Sequence, residues 1–282
     1  MSVPAARAGA VEGPDLSAAP ASHAGAIGGP DPAAARAYHA GPMREPEPSG
    51  APASHPGGIG GSEGSTAPAI TVATTDVCAP LGFSAGAAAA GIRGDGDATR
   101  LDLALLRSDR PCSAAGVFTR NTVKAAPVAI SQLTLRRGNR LQALVANAGN
   151  ANACTGVQGF RDALVMCSTA ADALDLDPSQ VLVCSTGVIG RPMPMDLVTA
   201  GIRAAASVLS PEGGGAAARA IMTTDTRPKS AGAAFTLDGR TLTVGGIAKG
   251  AGMIHRDMAS LLVFVTTDAP ASPALLQPLL TR

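Results

Sequence analysis

The chain has 282 residues, of which 46% are apolar, enough to form the core of one large domain or of two small ones. Its formal net charge of +1 argues against a nucleic-acid partner or an anionic membrane surface. No apolar run approaches the roughly 18 residues of a membrane-spanning helix, and the five cysteines show no CxxC spacing. We therefore expect a cytoplasmic protein without nucleic-acid or membrane partners.

The first quarter of the chain, residues 1–69, differs from the rest in composition. It holds eleven of the 22 prolines and twelve of the 34 glycines, with few β-branched residues. Such a segment buries too little apolar surface to order itself, and we predict a disordered tail. Its three histidines, His23, His39 and His55, lie far apart in a flexible context, so we predict no bound metal.

From Ile70 onward, short apolar runs alternate with turns. The pattern predicts strands at 102–107, 115–119, 127–131, 143–147 and 180–184. Helical spacing appears in two segments. Residues 157–174 place Phe160, Leu164, Cys167 and Ala171 on one stripe, and residues 195–209 do the same with Leu197, Ile202 and Val208.

The C-terminal part of the chain carries a hairpin signal and a helix signal. Asp238-Gly239 lies between two alternating segments and fits a tight primed turn. Ser272-Pro273 combines a capping hydroxyl with a proline suited to the first helical position. The helix has no C-terminal cap, and nothing after it covers the strand predicted at 261–267. We expect a mixed α/β domain that is incomplete at its C-terminus.

Ser260 lies between a glycine-rich loop and that strand. One interpretation is a serine whose hydroxyl is satisfied by neighbouring backbone. The other is chemical: the hydroxyl attacks the preceding carbonyl at the Ala259–Ser260 bond, and water then releases a new N-terminus. The freed α-amino group, with a pKa of roughly 7.7 to 8.0, can accept the hydroxyl proton. His255 lacks an evident third group to orient it, so we interpret it as structural or substrate-adjacent.

Several further residues have both an ordinary and a chemical interpretation. Thr186-Gly187, which follows the strand 180–184, is a common strand exit or a hydroxyl and N–H pair for an oxyanion. Lys249 beside two glycines is a solvated loop charge or a cation for a substrate carboxylate. Thr223, considered alone, is interpreted as a helix-ending hydroxyl.

Four segments together indicate a family. They are Gly149-Asn-Ala-Asn-Ala-Cys-Thr-Gly156, Ser185-Thr-Gly-Val-Ile-Gly190, Met222-Thr-Thr-Asp-Thr226 and the stretch from Lys249 to Asp268. Through these segments the chain resembles the ornithine acetyltransferases, the glutamate N-acetyltransferases of arginine biosynthesis. The resemblance extends from about Ile70 to Arg282. The resemblance implies an α/β sandwich (an α+β sandwich) of the self-cleaving, N-terminal-nucleophile type.

The resemblance also implies a role for each candidate residue. Ser260 is the nucleophile, exposed by cleavage between Ala259 and Ser260, and Thr186 with Gly187 forms the oxyanion hole. Thr223, Lys249 and Ser260 bind substrate. The chain departs from the family in having serine where threonine is usual, and in carrying His255-Arg256-Asp257 where a proline is usual. Without the threonine methyl group, the χ1 angle of the nucleophile is less restricted.

The implied reaction is acetyl transfer from N-acetyl-L-ornithine to L-glutamate through an acyl-enzyme on Ser260. No cofactor is implied, and acetyl-coenzyme A is a candidate acetyl donor. The implied organisation is a tail at 1–69, an α-chain region at 70–259 and the start of a β chain at 260–282, assembling as an α2β2 heterotetramer. Two alternatives stay open: a serine-nucleophile aminopeptidase or amidase, and an inactive fragment that lacks the β chain.

Overall fold

A computed structural model of the chain describes residues 70–73, 75–138, 140–250 and 261–281. The predicted tail at 1–69 lies outside the described residues, as does the segment 251–260 with the predicted cleavage site. The division of the chain into these regions therefore stays a prediction.

The described residues form two four-stranded sheets and five α-helices. The strands are β1 Ile70–Ala73, β2 Phe83–Ala88, β3 Leu103–Cys112, β4 Leu141–Asn150, β5 Val181–Val188, β6 Lys229–Leu237, β7 Arg240–Lys249 and β8 Leu262–Thr267. The helices are α1 Ala126–Arg136, α2 Gly156–Leu174, α3 Met195–Ser207, α4 Gly214–Ala220 and α5 Pro273–Leu280. The expected mixed α/β architecture is confirmed.

Sheet I has the strand order β2-β3-β4-β5, with β4 and β5 parallel and joined through α2. One of its faces is covered by helices. Ser131 of α1 donates to the Val183 carbonyl of β5 at 2.7 Å. Against β2, a side chain at Gly86 would lie 2.0 Å from the Ala205 carbonyl oxygen of α3. Glycine is therefore required where this helix approaches the strand backbone.

The other face of sheet I packs towards sheet II. Ala104, Leu106 and Ala146 of sheet I share a buried cluster with Ile247 of β7 and Phe264 of β8. Ala217 of α4 and Ile221, directly after that helix, complete this core. Small side chains dominate the cluster because the chain contains only 2% aromatic residues. The two sheets thus form a sandwich with helices on one side.

Sheet II has the order β1-β6-β7-β8 and is antiparallel throughout. The β6–β7 hairpin turns at Asp238 and Gly239, whose φ angles are 49° and 73°. Two consecutive positive φ angles define the primed turn that the dipeptide predicts, so this prediction is confirmed.

The face of sheet II opposite the core is apolar and open to solvent. Register places on this face the residues Ile70 and Val72 of β1 and Val263 and Val265 of β8. Their side chains are 51% to 80% exposed. An antiparallel sheet with one solvated face usually alternates apolar and polar residues, and this one does not. We call these four residues the outer face of sheet II.

Most of the other predicted elements are confirmed. The strands at 102–107, 143–147 and 180–184 lie in or overlap β3, β4 and β5, and the strand at 261–267 corresponds to β8. The helices predicted at 157–174 and 195–209 are α2 and α3. Helix α5 begins after Ser272, whose side chain accepts from the Leu275 N–H.

Two predicted strands are wrong. Residues 127–131 lie in α1, where Pro127 occupies the first helical turn that it favours, and a five-residue window hid the helical period. Residues 115–119 form no strand, and Gln277 of α5 pairs with the Gly116 backbone there. On α3, Ile202 is buried together with Val198 and Gly201, whereas Leu197 is exposed. Val208, directly after the helix, is also exposed.

Candidate functional site

The site is built around a buried lysine at the end of β7. The Lys249 ammonium donates a hydrogen bond to Thr186 Oγ1 of β5 at 3.1 Å. Lys249 is 1% exposed and Thr186 is 4% exposed. These two residues are 63 positions apart in sequence, and the bond joins the ends of the two sheets. The structure therefore brings together two of the residues predicted to act in the site.

The direction of this hydrogen bond decides what the threonine can do. A charged ammonium has donors only, so Thr186 Oγ1 accepts and keeps its own hydrogen for another acceptor. Burial lowers the pKa of Lys249, while the carboxylate of Asp225 opposes this effect and the cations Arg93 and Lys229 add to it. The charge state of the lysine thus depends on a small group of neighbours.

Gly187 follows Thr186 and lies inside β5, not in a turn after it as predicted. Its φ angle is +135°, and a side chain there would lie 2.3 Å from the Gly149 carbonyl carbon. Gly149 has a φ of +106°, and a side chain on it would lie 2.8 Å from Arg93 Cα. Gly187 is thus required by the close approach of β5 to β4, and Gly149 by the close approach of the Arg93 segment to β4.

The Gly149–Gly156 segment is held by its asparagines. The Asn152 side chain donates to the Gly159 carbonyl at 2.8 Å, and the Asn150 side chain donates to the Arg191 carbonyl at 3.1 Å. Both residues are 0% exposed. These amides replace backbone partners that an irregular segment cannot supply itself, so they shape the strand ends that carry the site.

Thr223 reaches the site through Asp225. The Asp225 carboxylate accepts the Thr223 N–H at 3.4 Å and the Gly250 N–H at 3.0 Å. It also accepts from the Lys229 ammonium. Gly250 directly follows Lys249, so Asp225 joins the Thr223 segment to the end of β7. Burial alone would raise the pKa of Asp225, but hydrogen bonds from Lys229, Gly250 and Thr223 outweigh it and lower the pKa.

Arg93 brings a further cation to this side of the molecule. Its guanidinium donates to the Met222 carbonyl, immediately before Thr223. Burial lowers the pKa of Arg93, as does nearby Arg100, while Asp102 and Asp95 oppose them. Its buried Nε has no hydrogen-bond acceptor in the described part of the chain. The sequence patterns indicated no role for Arg93 or Asp225. Asp225 nevertheless lies two residues after Thr223, in one of the segments that resemble the family.

Ser260, Ala259 and His255 lie outside the described residues, so their predicted roles stay predictions. Within the described ranges, no cluster of three or more histidine, cysteine, aspartate or glutamate side chains could hold a metal ion. None of the described helices is both long enough and apolar enough to pass through a membrane.

Comparisons with solved structures place this arrangement in a known class. The crystal structure of the arginine biosynthesis bifunctional protein ArgJ from Bacillus halodurans matches with a TM-score of 0.63 at 40% identity. Ornithine acetyltransferase complexed with ornithine, from Mycobacterium tuberculosis, matches with a TM-score of 0.61 at 44% identity. Each match covers 68% of this chain and 100% of the solved chain. The fold is thus that of the ornithine acetyltransferases.

Sequence relatives agree with the structural match. The arginine biosynthesis bifunctional protein ArgJ of Symbiobacterium thermophilum is 58% identical over 201 residues, which cover 71% of this chain and 50% of that protein. The protein of the same name from Caldanaerobacter subterraneus is 49% identical, covering 70% of this chain and 48% of that protein. The ArgJ family model matches residues 84–282. The chain belongs to the ArgJ family, and it spans about half the length of these curated relatives.

Proposed function

We propose that this chain carries the oxyanion-stabilising and substrate-binding half of an ornithine acetyltransferase. The observation that supports this most directly is the buried Lys249 ammonium bonded to Thr186 Oγ1, next to the N–H of Gly187. A hydroxyl that accepts from a cation is polarised and is a stronger donor to a developing oxyanion. The family membership of the chain supports the same assignment.

The proposed chemistry begins with self-cleavage. The Ser260 hydroxyl attacks the carbonyl carbon of Ala259, and the acyl group moves from nitrogen to oxygen. Water then hydrolyses this ester, which leaves a carboxylate on Ala259 and a free α-amino group on Ser260. That amine takes the hydroxyl proton in later steps, so no histidine is needed.

Acetyl transfer then proceeds in two halves. Ser260 attacks the acetyl carbonyl of N-acetyl-ornithine, and the negative charge on the carbonyl oxygen is stabilised by the Thr186 hydroxyl and the Gly187 N–H. The tetrahedral intermediate collapses to release ornithine and leaves acetyl-Ser260. The amino group of glutamate attacks this ester, and Ser260 leaves with a proton.

Both substrates carry carboxylates, and the site has cations to receive them. Lys249, the Thr223 hydroxyl and Ser260 are the proposed substrate ligands. The solved relative that contains ornithine supports a small amino-acid substrate. Acetyl-coenzyme A stays a candidate acetyl donor.

The proposal includes a second half of the protein as partner. The outer face of sheet II is an apolar surface of the kind that another layer covers. The curated relatives are about twice as long as the matched region, and their remaining half is the proposed covering layer. An α2β2 heterotetramer is the assembly we propose.

The five cysteines of this chain are unpaired, which supports a reducing, cytoplasmic location.

The test uses the chain as it is and its Ser260→Ala and Ser260→Thr variants. Intact mass spectrometry with N-terminal reading detects cleavage, and radiolabelled N-acetyl-ornithine with glutamate detects transfer. We expect the parent chain to cleave before Ser260 and to transfer acetyl groups once the second half is supplied. Ser260→Ala abolishes both, and Ser260→Thr keeps both and restores the family's usual nucleophile.

Three outcomes contradict the proposal in different ways. Cleavage that persists in Ser260→Ala removes Ser260 as the nucleophile. Hydrolysis of peptide amides without acetyl transfer indicates the aminopeptidase or amidase alternative. An uncut chain that stays inactive with the second half present indicates a fragment without catalytic function.

A further inference from the structure

We propose that Asp225 is a positioning residue, which fixes the end of β7 against the Thr223 segment and keeps the Lys249 side chain a pure donor towards Thr186. The relevance of Asp225 to catalysis rests on the proposed function. Its contacts, and its effect on the ionisation of Lys249, are independent of that function. Asp225 acts through Lys249 and Thr186 and touches no reacting atom in this proposal.

The carboxylate of Asp225 is placed where two distant segments meet. Its side chain is 1% exposed. One oxygen accepts the Gly250 N–H at 3.0 Å, and the other accepts the Thr223 N–H at 3.4 Å. Thr223 and Gly250 are separated by 27 positions, and Gly250 is the residue after Lys249. A buried carboxylate held by backbone donors is rigid, so it anchors the Lys249 backbone where β7 ends.

The composition of the chain supports a role for charge at this point. Among its 22 basic residues there are only three lysines, Lys124, Lys229 and Lys249. Two of these three interact with Asp225: Lys229 by an ion pair and Lys249 by charge. Arginine does not lose its proton in proteins, whereas a buried lysine readily does. Position 249 therefore carries a lysine, whose protonation state its charged neighbours can change.

The charged groups seen to act on Lys249 in the described part of the chain include Asp225, Arg93 and Lys229. Burial lowers the pKa of Lys249, and Arg93 and Lys229 lower it further, whereas Asp225 raises it. We therefore expect removal of the Asp225 charge to move the Lys249 titration to lower pH. A neutral lysine has a lone pair that accepts the Thr186 hydrogen, which takes that donor away from the oxyanion.

The experiment measures this titration directly. The full chain is prepared with ¹³C-labelled lysine, so that only three side-chain signals arise, and Lys249→Arg identifies the signal of interest. We expect the Lys249 midpoint to lie at lower pH in Asp225→Asn than in the parent chain. The Gly250 and Thr223 amides exchange faster in the same variant, because each loses a charged acceptor.

Two matched variants make the result decisive. Asp268→Asn removes another carboxylate that accepts backbone N–H groups, from Thr243 at 2.7 Å and Leu81 at 3.2 Å, and it leaves the Lys249 midpoint unchanged. Lys229→Gln removes a half-exposed cation and moves the midpoint to higher pH. Equal midpoints in Asp225→Asn and Asp268→Asn, or a shift of the same sign in Lys229→Gln and Asp225→Asn, overturn the proposal.

These readouts require no turnover, so they separate this proposal from the proposed function. If the parent chain transfers no acetyl group but the midpoints move as described, Asp225 still positions Lys249 and the function assignment fails alone. If transfer occurs and the midpoints do not move, the function stands and the role of Asp225 is lost.

Discussion

At the scale of single residues, Thr186 carries the largest chemical consequence. It accepts from Lys249 and keeps its own hydrogen, which is the proposed donor to the oxyanion. Thr186→Val keeps the shape of the side chain and removes this donor. We expect kcat for acetyl transfer to fall by roughly 10²- to 10³-fold, the usual effect of losing one oxyanion donor.

Thr186→Ser is the matched control for this prediction. It retains the hydroxyl and loses only the methyl group, so transfer should stay much closer to that of the parent protein. Initial rates for the parent and both variants, measured at saturating N-acetyl-ornithine, provide the comparison. Equal rates for Val and Ser would show that the hydroxyl is not an oxyanion donor.

The residues of the site differ in how well the sequence predicts them. Thr186, Gly187 and Lys249 stand in segments that resemble a family, and the structure brings them together. Asp225 had no signal of its own, because its backbone partner Gly250 lies 25 residues away and a buried carboxylate looks like any other aspartate in sequence. Long-range backbone contacts of this kind leave no local pattern.

At the scale of elements, the site depends on how closely β4 and β5 approach. A side chain at Gly187 of β5 would collide with Gly149 and Asn150 of β4. Gly187→Ala adds a methyl group 2.3 Å from the Gly149 carbonyl carbon and forces alanine into a backbone region reserved for glycine. We expect the free energy of unfolding to fall by about 1–3 kcal/mol because of backbone strain, and by a further amount of similar size because of the clash.

Gly190→Ala tests whether the contact or the φ angle is responsible. Gly190 also has a positive φ, of +79°, but a side chain there meets nothing within 4 Å. Gly190→Ala should lower the free energy of unfolding by only about 1–2 kcal/mol. Urea denaturation of the parent chain and both variants gives the free energies of unfolding. Equal losses in the two variants would mean that the close approach of β4 and β5 contributes nothing.

Elements with complete local signals are the ones that the sequence predicts well. The Asp238-Gly239 turn and the Ser272 cap depend on the chemistry of neighbouring residues, and both form as predicted. The segment 127–131 fails because Val128 and Ile130 favour a strand over five residues, while the full eleven residues of α1 pack as a helix on β5. Tertiary packing overrides local preference there.

At the scale of the whole molecule, the outer face of sheet II is the part of the sandwich where apolar residues stay exposed. Val263 and Val265 are 51% and 55% exposed, whereas Phe264 between them is 9% exposed. Both faces of β8 are therefore apolar, although only one is buried within this chain. An exposed apolar surface of this kind drives association.

Replacing both exposed valines by threonine tests this property. Val263→Thr with Val265→Thr keeps side-chain shape and strand preference, and should change the free energy of unfolding by no more than about 0.5 kcal/mol per site. Association of the chain, either with a second copy or with the proposed second half, should weaken because the face becomes polar. Val183→Thr is the matched control: it is 0% exposed and buries a hydroxyl, so it should cost about 1–3 kcal/mol. Sedimentation velocity across a concentration series measures the association, and identical profiles for the parent and double variant would show that this face has no partner.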